Sequence, residues 1–83
     1  MSEHIELLRI KVSPMLNKRV RVHYKRKKTN KHTFVGIVKK INKNSLKLYQ
    51  DDKDEPLKID IGFRNIEKAE DIEIIEPKYY QTT

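Results

Sequence analysis

Twelve lysines and arginines of this 83-residue chain fall between positions 18 and 50, a stretch without one aspartate or glutamate. The densest run is Lys25-Arg26-Lys27-Lys28-Thr29-Asn30-Lys31-His32, where five of eight side chains are cationic. Phosphate oxygens select long, flexible cations on an exposed segment, and Thr29 and Asn30 add hydrogen-bonding groups for phosphate or sugar. Arg19 and Arg21 precede the run, alternating with Val20 and Val22, and Lys39 and Lys47 follow it. Tyr49, two residues beyond Lys47, is the aromatic best placed to stack on a base. The expected nucleic-acid-binding set is thus Arg19, Arg21, Lys25, Arg26, Lys27, Lys28, Lys31, Lys39, Lys47 and Tyr49. A hydrated hairpin tip has a similar composition. What favours binding is the asymmetry: residues 51–83 hold ten acids against five bases, so the net charge of +7 is concentrated in one half.

Catalytic chemistry finds no comparable constellation. His4, His23 and His32 are scattered without acids at ligand spacing, so no metal is expected. Asp51-Asp52-Lys53-Asp54-Glu55 lacks the glycine and spacing of a calcium loop. Ser2, Ser13 and Ser45 have no base nearby in sequence, and Gly36 and Gly62 stand too far apart to cradle a phosphate. The absence of cysteine removes disulfides, thiolate ligands and thiol nucleophiles. The expectation is a non-catalytic protein with no cofactor and no small-molecule substrate. No apolar run is long enough to span a membrane, and the first residues lack the basic and apolar regions of a secretory leader. A cytoplasmic protein is therefore expected.

The elements that must position these side chains follow from hydrophobic period. Ile5, Leu8 and Val12 share one helical face, which predicts a helix over 2–12, stopped by Pro14. Val20, Val22 and Tyr24 then alternate with Arg19, Arg21, His23 and Lys25, which predicts a strand with one basic face. Residues 25–32, without an apolar side chain, read as a solvated loop. A second strand spans 33–41, apolar on both sides, with Gly36 allowing a sharp bend so that both sides meet core. Asn42-Lys43-Asn44 reads as a tight turn using asparagine's tolerance of left-handed angles. Leu46 and Leu48 mark a third strand, with Tyr49 facing outward beside Lys47. An acidic turn, 51–56, leads to a fourth strand marked by Leu57, Ile59 and Ile61. Gly62 breaks that strand, and Ile72 and Ile74 mark a fifth, with a start as early as Ile66 left open. Tyr24 and Phe34 are expected in the core; Phe63 suits either core or surface. Five short strands and a helix have too few apolar residues to cover both faces of an open sheet, so closure of a meander into a small barrel is expected.

With the strands placed, the chain resembles the Sm-like group of SH3-type barrels. The residues that carry the likeness are the opening helix, Leu16-Asn17-Lys18-Arg19-Val20-Arg21-Val22, and Phe34-Val35-Gly36-Ile37-Val38. Within that group it is most similar to the C-terminal domain of the ribosome maturation factor RimP family, where Asn65-Ile66-Glu67-Lys68-Ala69 matches a segment near the domain's end. The resemblance covers about residues 14–76. The Arg-Gly turn of ring-forming Sm proteins is replaced by Gly62-Phe63-Arg64-Asn65. The resemblance implies a ribonucleoprotein or ribosome-related role.

The fold class expected is mainly β: a short N-terminal α-helix followed by a five-stranded antiparallel SH3/Sm-like small barrel. One domain over 1–77 and a flexible tail over 78–83 are expected. The expected partner is nucleic acid, RNA ahead of DNA, engaged through the basic hairpin between the first two strands and the basic strand face. The competing class is a protein-interaction module, with the acidic C-terminal half meeting a protein partner or a second copy.

Overall fold

The computed structural model describes residues 3–27, 30–50 and 56–75. Residues 1–2, 28–29, 51–55 and 76–83 lie outside the described residues, and with them the tail expected over 78–83 and all but Pro56 of the acidic turn expected over 51–56.

Helix α1, Glu3–Val12, buries Leu8 and Val12 and packs Ile5 against the core. Glu3 and Glu6 stand in its first turn and Arg9 and Lys11 in its last, the order that complements the helix dipole. The chain then makes one 3-10 turn, Ser13–Met15, with Pro14 where its missing N–H costs nothing. Asn17 takes a left-handed φ of 68°, which asparagine tolerates, and its N–H donates to the Val38 carbonyl at 2.7 Å.

Five strands follow: β1 Arg19–Arg26, β2 Asn30–Ile41, β3 Ser45–Gln50, β4 Leu57–Gly62 and β5 Ile72–Ile74. They form one antiparallel sheet in the order β4-β3-β2-β1-β5. The first four make the expected meander. β5 returns to the far side of β1, pairing Ile72 with Val22 and Ile74 with Val20. The mainly β class with a leading helix is as expected, but closure is not: β4 and β5 are the two margins of an open sheet.

The core does without closure because other elements cover its open side. Phe63 and Ile66, on the connection between β4 and β5, are fully buried with Leu8 and Val12 of α1 and with Val20, Val22, Val38, Leu46, Leu48 and Ile72 of the sheet. Two hydrogen bonds tie α1 to that connection. His4 Nε2–H donates to the Ile66 carbonyl and Lys11 Nζ to the Ala69 carbonyl, each at 2.6 Å.

Three further expectations are corrected. Residues 25–32 are not simply a loop: β1 and β2 pair Tyr24 with His32, Lys25 with Lys31 and Arg26 with Asn30, so the strands project as a ribbon around Lys27. Backbone pairing needs no apolar side chain, and the Tyr24–His32 ring stack, 5.6 Å between centroids, adds a cross-strand contact. Val35 and Ile37 do not meet the core; they lie half-buried on the outward face, opposite Arg21 and Arg19. The turn from β2 to β3 is closed by Asn42 N–H to the Ser45 carbonyl at 2.8 Å and by Asn42 Nδ2 to Ser45 Oγ at 3.2 Å; it has no left-handed residue. The connection after β4 makes two 3-10 turns, Phe63–Asn65 and Ala69–Asp71, so of the two starts left open for β5 the chain takes Ile72, where Ile72 and Ile74 mark the strand.

Gly36 marks a close approach. A Cβ there would stand 2.9 Å from the Tyr49 carbonyl oxygen and 3.0 Å from the Phe34 ring. Only hydrogen at that position lets β3 curl this tightly over β2.

A candidate nucleic-acid interface on the outward sheet face

Strand alternation sends Val20, Val22 and Tyr24 to the core and Arg19, Arg21, His23 and Lys25 to the opposite side. Register then sets neighbours across the sheet. Arg19, Ile37, Tyr49 and Lys58 form one row, Glu73, Arg21 and Val35 the next, and Lys25 pairs with Lys31 toward the ribbon's end. Six residue steps along β1 lead from Arg19 to Lys25, a reach of roughly 20 Å at the rise of an extended strand. Duplex nucleic acid presents about one phosphate charge per 1.7 Å of axis, so a face of this length meets many phosphates at once.

The middle of the face owes its charge to an irregularity. The β2–β3 register shifts between Val38 and Lys40, with Val38 opposite Leu48 and Lys40 opposite Lys47. A β-bulge of this kind adds one residue to the face. Lys39, the extra residue, puts its ammonium 5.8 Å from the Tyr49 ring centroid, while Lys40 stands across from Lys47. Two consecutive lysines therefore serve one face. Like charges directly opposite repel, a cost that a bound anion offsets. Asp60, opposite Lys47 on its other side, is the nearest acid in that row.

Tyr49 faces outward as expected, but its ring is already engaged. Lys58 Nζ lies 6.0 Å from the centroid, so ammoniums of β2 and β4 both address the ring, within the range of cation–π attraction. A base that stacked on Tyr49 would meet the ring with these two ammoniums beside it. Val35 and Ile37 give the long cationic stems an apolar floor.

The acids do not all face away from the bases. Arg21 Nη1 lies 3.5 Å from Glu73 Oε2 of β5, and Lys25 Nζ lies 3.3 Å from Glu67 Oε2 on the β4–β5 connection. Both pairs are exposed, where such contacts contribute little to stability.

The structure brings Arg19, Arg21, Lys25, Lys31, Lys39, Lys47 and Tyr49 onto one side of the sheet. Arg26 is exposed on the Tyr24 side of the ribbon, Lys27 sits at its turn with φ of 54°, and Lys28 is outside the described residues. Sequence reasoning missed Lys40 and Lys58. For Lys58 the signal was present, since Leu57-Lys58-Ile59 alternates as Leu48-Tyr49 does. For Lys40 it was not, because a bulge breaks the period on which facing is counted.

The histidines stand apart: His4 is bound to the Ile66 carbonyl, His23 Nδ1 lies 2.8 Å from Thr33 Oγ1, and His32 stacks on Tyr24. Among the described residues no three His, Asp or Glu side chains gather closely enough to hold a metal ion, and no helix is long and apolar enough to cross a membrane. Comparison with protein families, with curated proteins and with solved structures finds no match to this chain.

Proposed function

We propose that this chain is a non-catalytic nucleic-acid-binding protein that engages RNA through the outward sheet face and the projecting β1–β2 ribbon. The observation that supports it is the gathering of cations from four strands on one side: Arg19 and Arg21, Lys39 and Lys40, Lys47, and Lys58. Phosphate contact dominates such a surface, so binding is strongly salt-dependent and weakly selective for sequence. The choice of RNA over DNA, and a ribonucleoprotein setting, rest on the sequence resemblance to Sm-like barrels and the RimP family alone, since the sheet here is open.

The test is a titration of labelled RNA and DNA at several salt concentrations against a variant with Lys25, Arg26, Lys27, Lys28 and Lys31 neutralised. Each lost phosphate contact removes about 0.7–0.9 from the slope of log affinity against log salt, so a fall of roughly two to four is expected. An unchanged slope and affinity would overturn the reading for the ribbon.

One observation favours a protein partner as the second reading. Leu7 and Ile10, one helical turn apart on α1, are 63% and 62% exposed on the side away from the core. Capture of a protein that survives nuclease treatment and is lost on Leu7→Ser/Ile10→Ser would favour it.

A further inference from the structure

The β1–β5 ladder stops at Val22 and Ile72, and beyond it residues 65–71 run beside the unpaired margin of β1. A cleft of about 340 Å³ opens between that segment and the ribbon. It continues into a neighbouring depression that shares Lys25, Asn65 and Glu67 and adds Arg64. We propose that this cleft binds one unpaired nucleotide of an RNA strand, a proposal that rests on the nucleic-acid reading of the basic face.

Four features carry it. The first is size: ligand pockets begin at about 300 Å³, so the cleft has room for one nucleoside. The second is an aromatic wall. His32 lines the cleft with its ring held against Tyr24 at an interplanar angle of 26°. An imidazole fixed in this way is a surface on which a base can lie. The third is a set of cations for the phosphate: Lys25 and Lys31 from the ribbon and Lys68 from the facing segment. The fourth is a set of groups for the base edge and the sugar. The Asn65 side chain offers both donor and acceptor, and Glu67 and Asp71 are acceptors. Asp71 Oδ2 receives the Lys68 N–H at 3.3 Å, which fixes its carboxylate at the cleft and leaves lone pairs to spare.

The mixture decides the ligand. A simple anion would gain nothing from two carboxylates, and an acidic peptide would be repelled by them. A ribonucleotide carries both a phosphate for the lysines and donors, the 2′-hydroxyl and base N–H groups, for the carboxylates. Lys25 of the ribbon and Glu67 of the facing segment, both lining the cleft, form an ion pair. A phosphate that takes Lys25 leaves Glu67 free to accept from the ribose. The base must be unpaired, because a base inside a duplex cannot reach a cleft at a sheet margin.

The experiment compares the intact protein's affinity for three labelled hairpins: a fully paired RNA, the same RNA with one bulged nucleotide, and the bulged DNA equivalent. Stacking of one base contributes about 1–3 kcal/mol, so the bulged RNA is expected to bind about tenfold more tightly than the paired RNA. Asn65→Ala and His32→Ala are each expected to erase that preference and leave affinity for paired RNA as it was. Asn65 is exposed, so its variant keeps the test valid if His32→Ala does not fold. Equal, salt-dependent binding of paired and bulged RNA would overturn the cleft proposal and leave the basic face standing. Absence of binding to all three would overturn the basic-face reading and the cleft with it. An equal preference for bulged DNA would overturn the assignment of acceptors to the ribose.

Discussion

Glu73 of β5 stands directly opposite Arg21 of β1, its Oε2 3.5 Å from the guanidinium Nη1. Arg21 therefore reaches a polyanion only in competition with an acid of its own chain. Glu73→Gln removes the competitor and one repulsive charge. Exposed pairs are worth about 0.2–1 kcal/mol, so affinity for RNA is expected to rise about two- to fivefold. A salt titration of the variant beside the parent checks this; unchanged or weaker binding would mean that Arg21 takes no part.

Tyr49 gives a second expected outcome. Its ring gathers Lys39 and Lys58 from strands on either side of β3. Tyr49→Ala releases both ammoniums, and affinity is expected to fall about five- to thirtyfold for paired and unpaired RNA alike, on a cation–π scale of about 0.5–1 kcal/mol for each of the two contacts. Tyr49→Phe keeps the ring and is expected to behave as the parent does. A loss confined to unpaired RNA would instead mark Tyr49 as a stacking residue.

The packing of Gly36 sets a stability outcome. A β-branched side chain there meets the Tyr49 carbonyl, a backbone atom that can move only with β3, and the Phe34 ring. Overpacking of this kind costs about 1–3 kcal/mol, and in a domain this small each kcal/mol lowers the melting temperature by about 4–8 °C. Gly36→Val is expected to melt at least that much lower; an unchanged melting curve would show that β3 can uncurl at no cost.

Phe63 is expected to be more severe. It is fully buried between α1 and the sheet, and large-to-small changes at such aromatic positions cost about 3–5 kcal/mol. Phe63→Ala removes much of what a small domain has and should leave the chain largely unfolded at 37 °C by circular dichroism. Leu7→Ser, on the exposed side of α1, serves as the control with an unchanged melt.

Much of this fold was legible because period and burial agree. Val20, Val22 and Tyr24 are buried where alternation puts them, and Leu8 and Val12 where the helical period does. The outward direction of Arg19, Arg21, Lys47 and Tyr49 follows from the same alternation. The rest was hidden for physical reasons. Strand pairing in the ribbon depends on backbone groups, which residues of any polarity share, so a polar run read as a loop. Val35 and Ile37 are apolar yet cover cationic stems, which composition alone equates with core. The cleft joins β1 to residues 65–71, a pairing across more than forty positions that no local pattern encodes. Open margins in place of a closed barrel depend on Phe63 and Ile66 turning inward from a connection, and Phe63 in particular suited either side.

The two bonds from α1, to partners 62 and 58 residues further along, also bear on the order of events in folding. The β1–β2–β3–β4 meander closes through short links, whereas the helix gains its partners only after the chain has reached Ile66 and Ala69. Contacts so distant in sequence pay their loop-closure entropy late. The helix is thus expected to be seated last, with Leu8 and Val12 unburied until then. Substitutions at His4 or Lys11 should accordingly hasten unfolding and leave the folding rate nearly untouched, a split that stopped-flow kinetics reads directly.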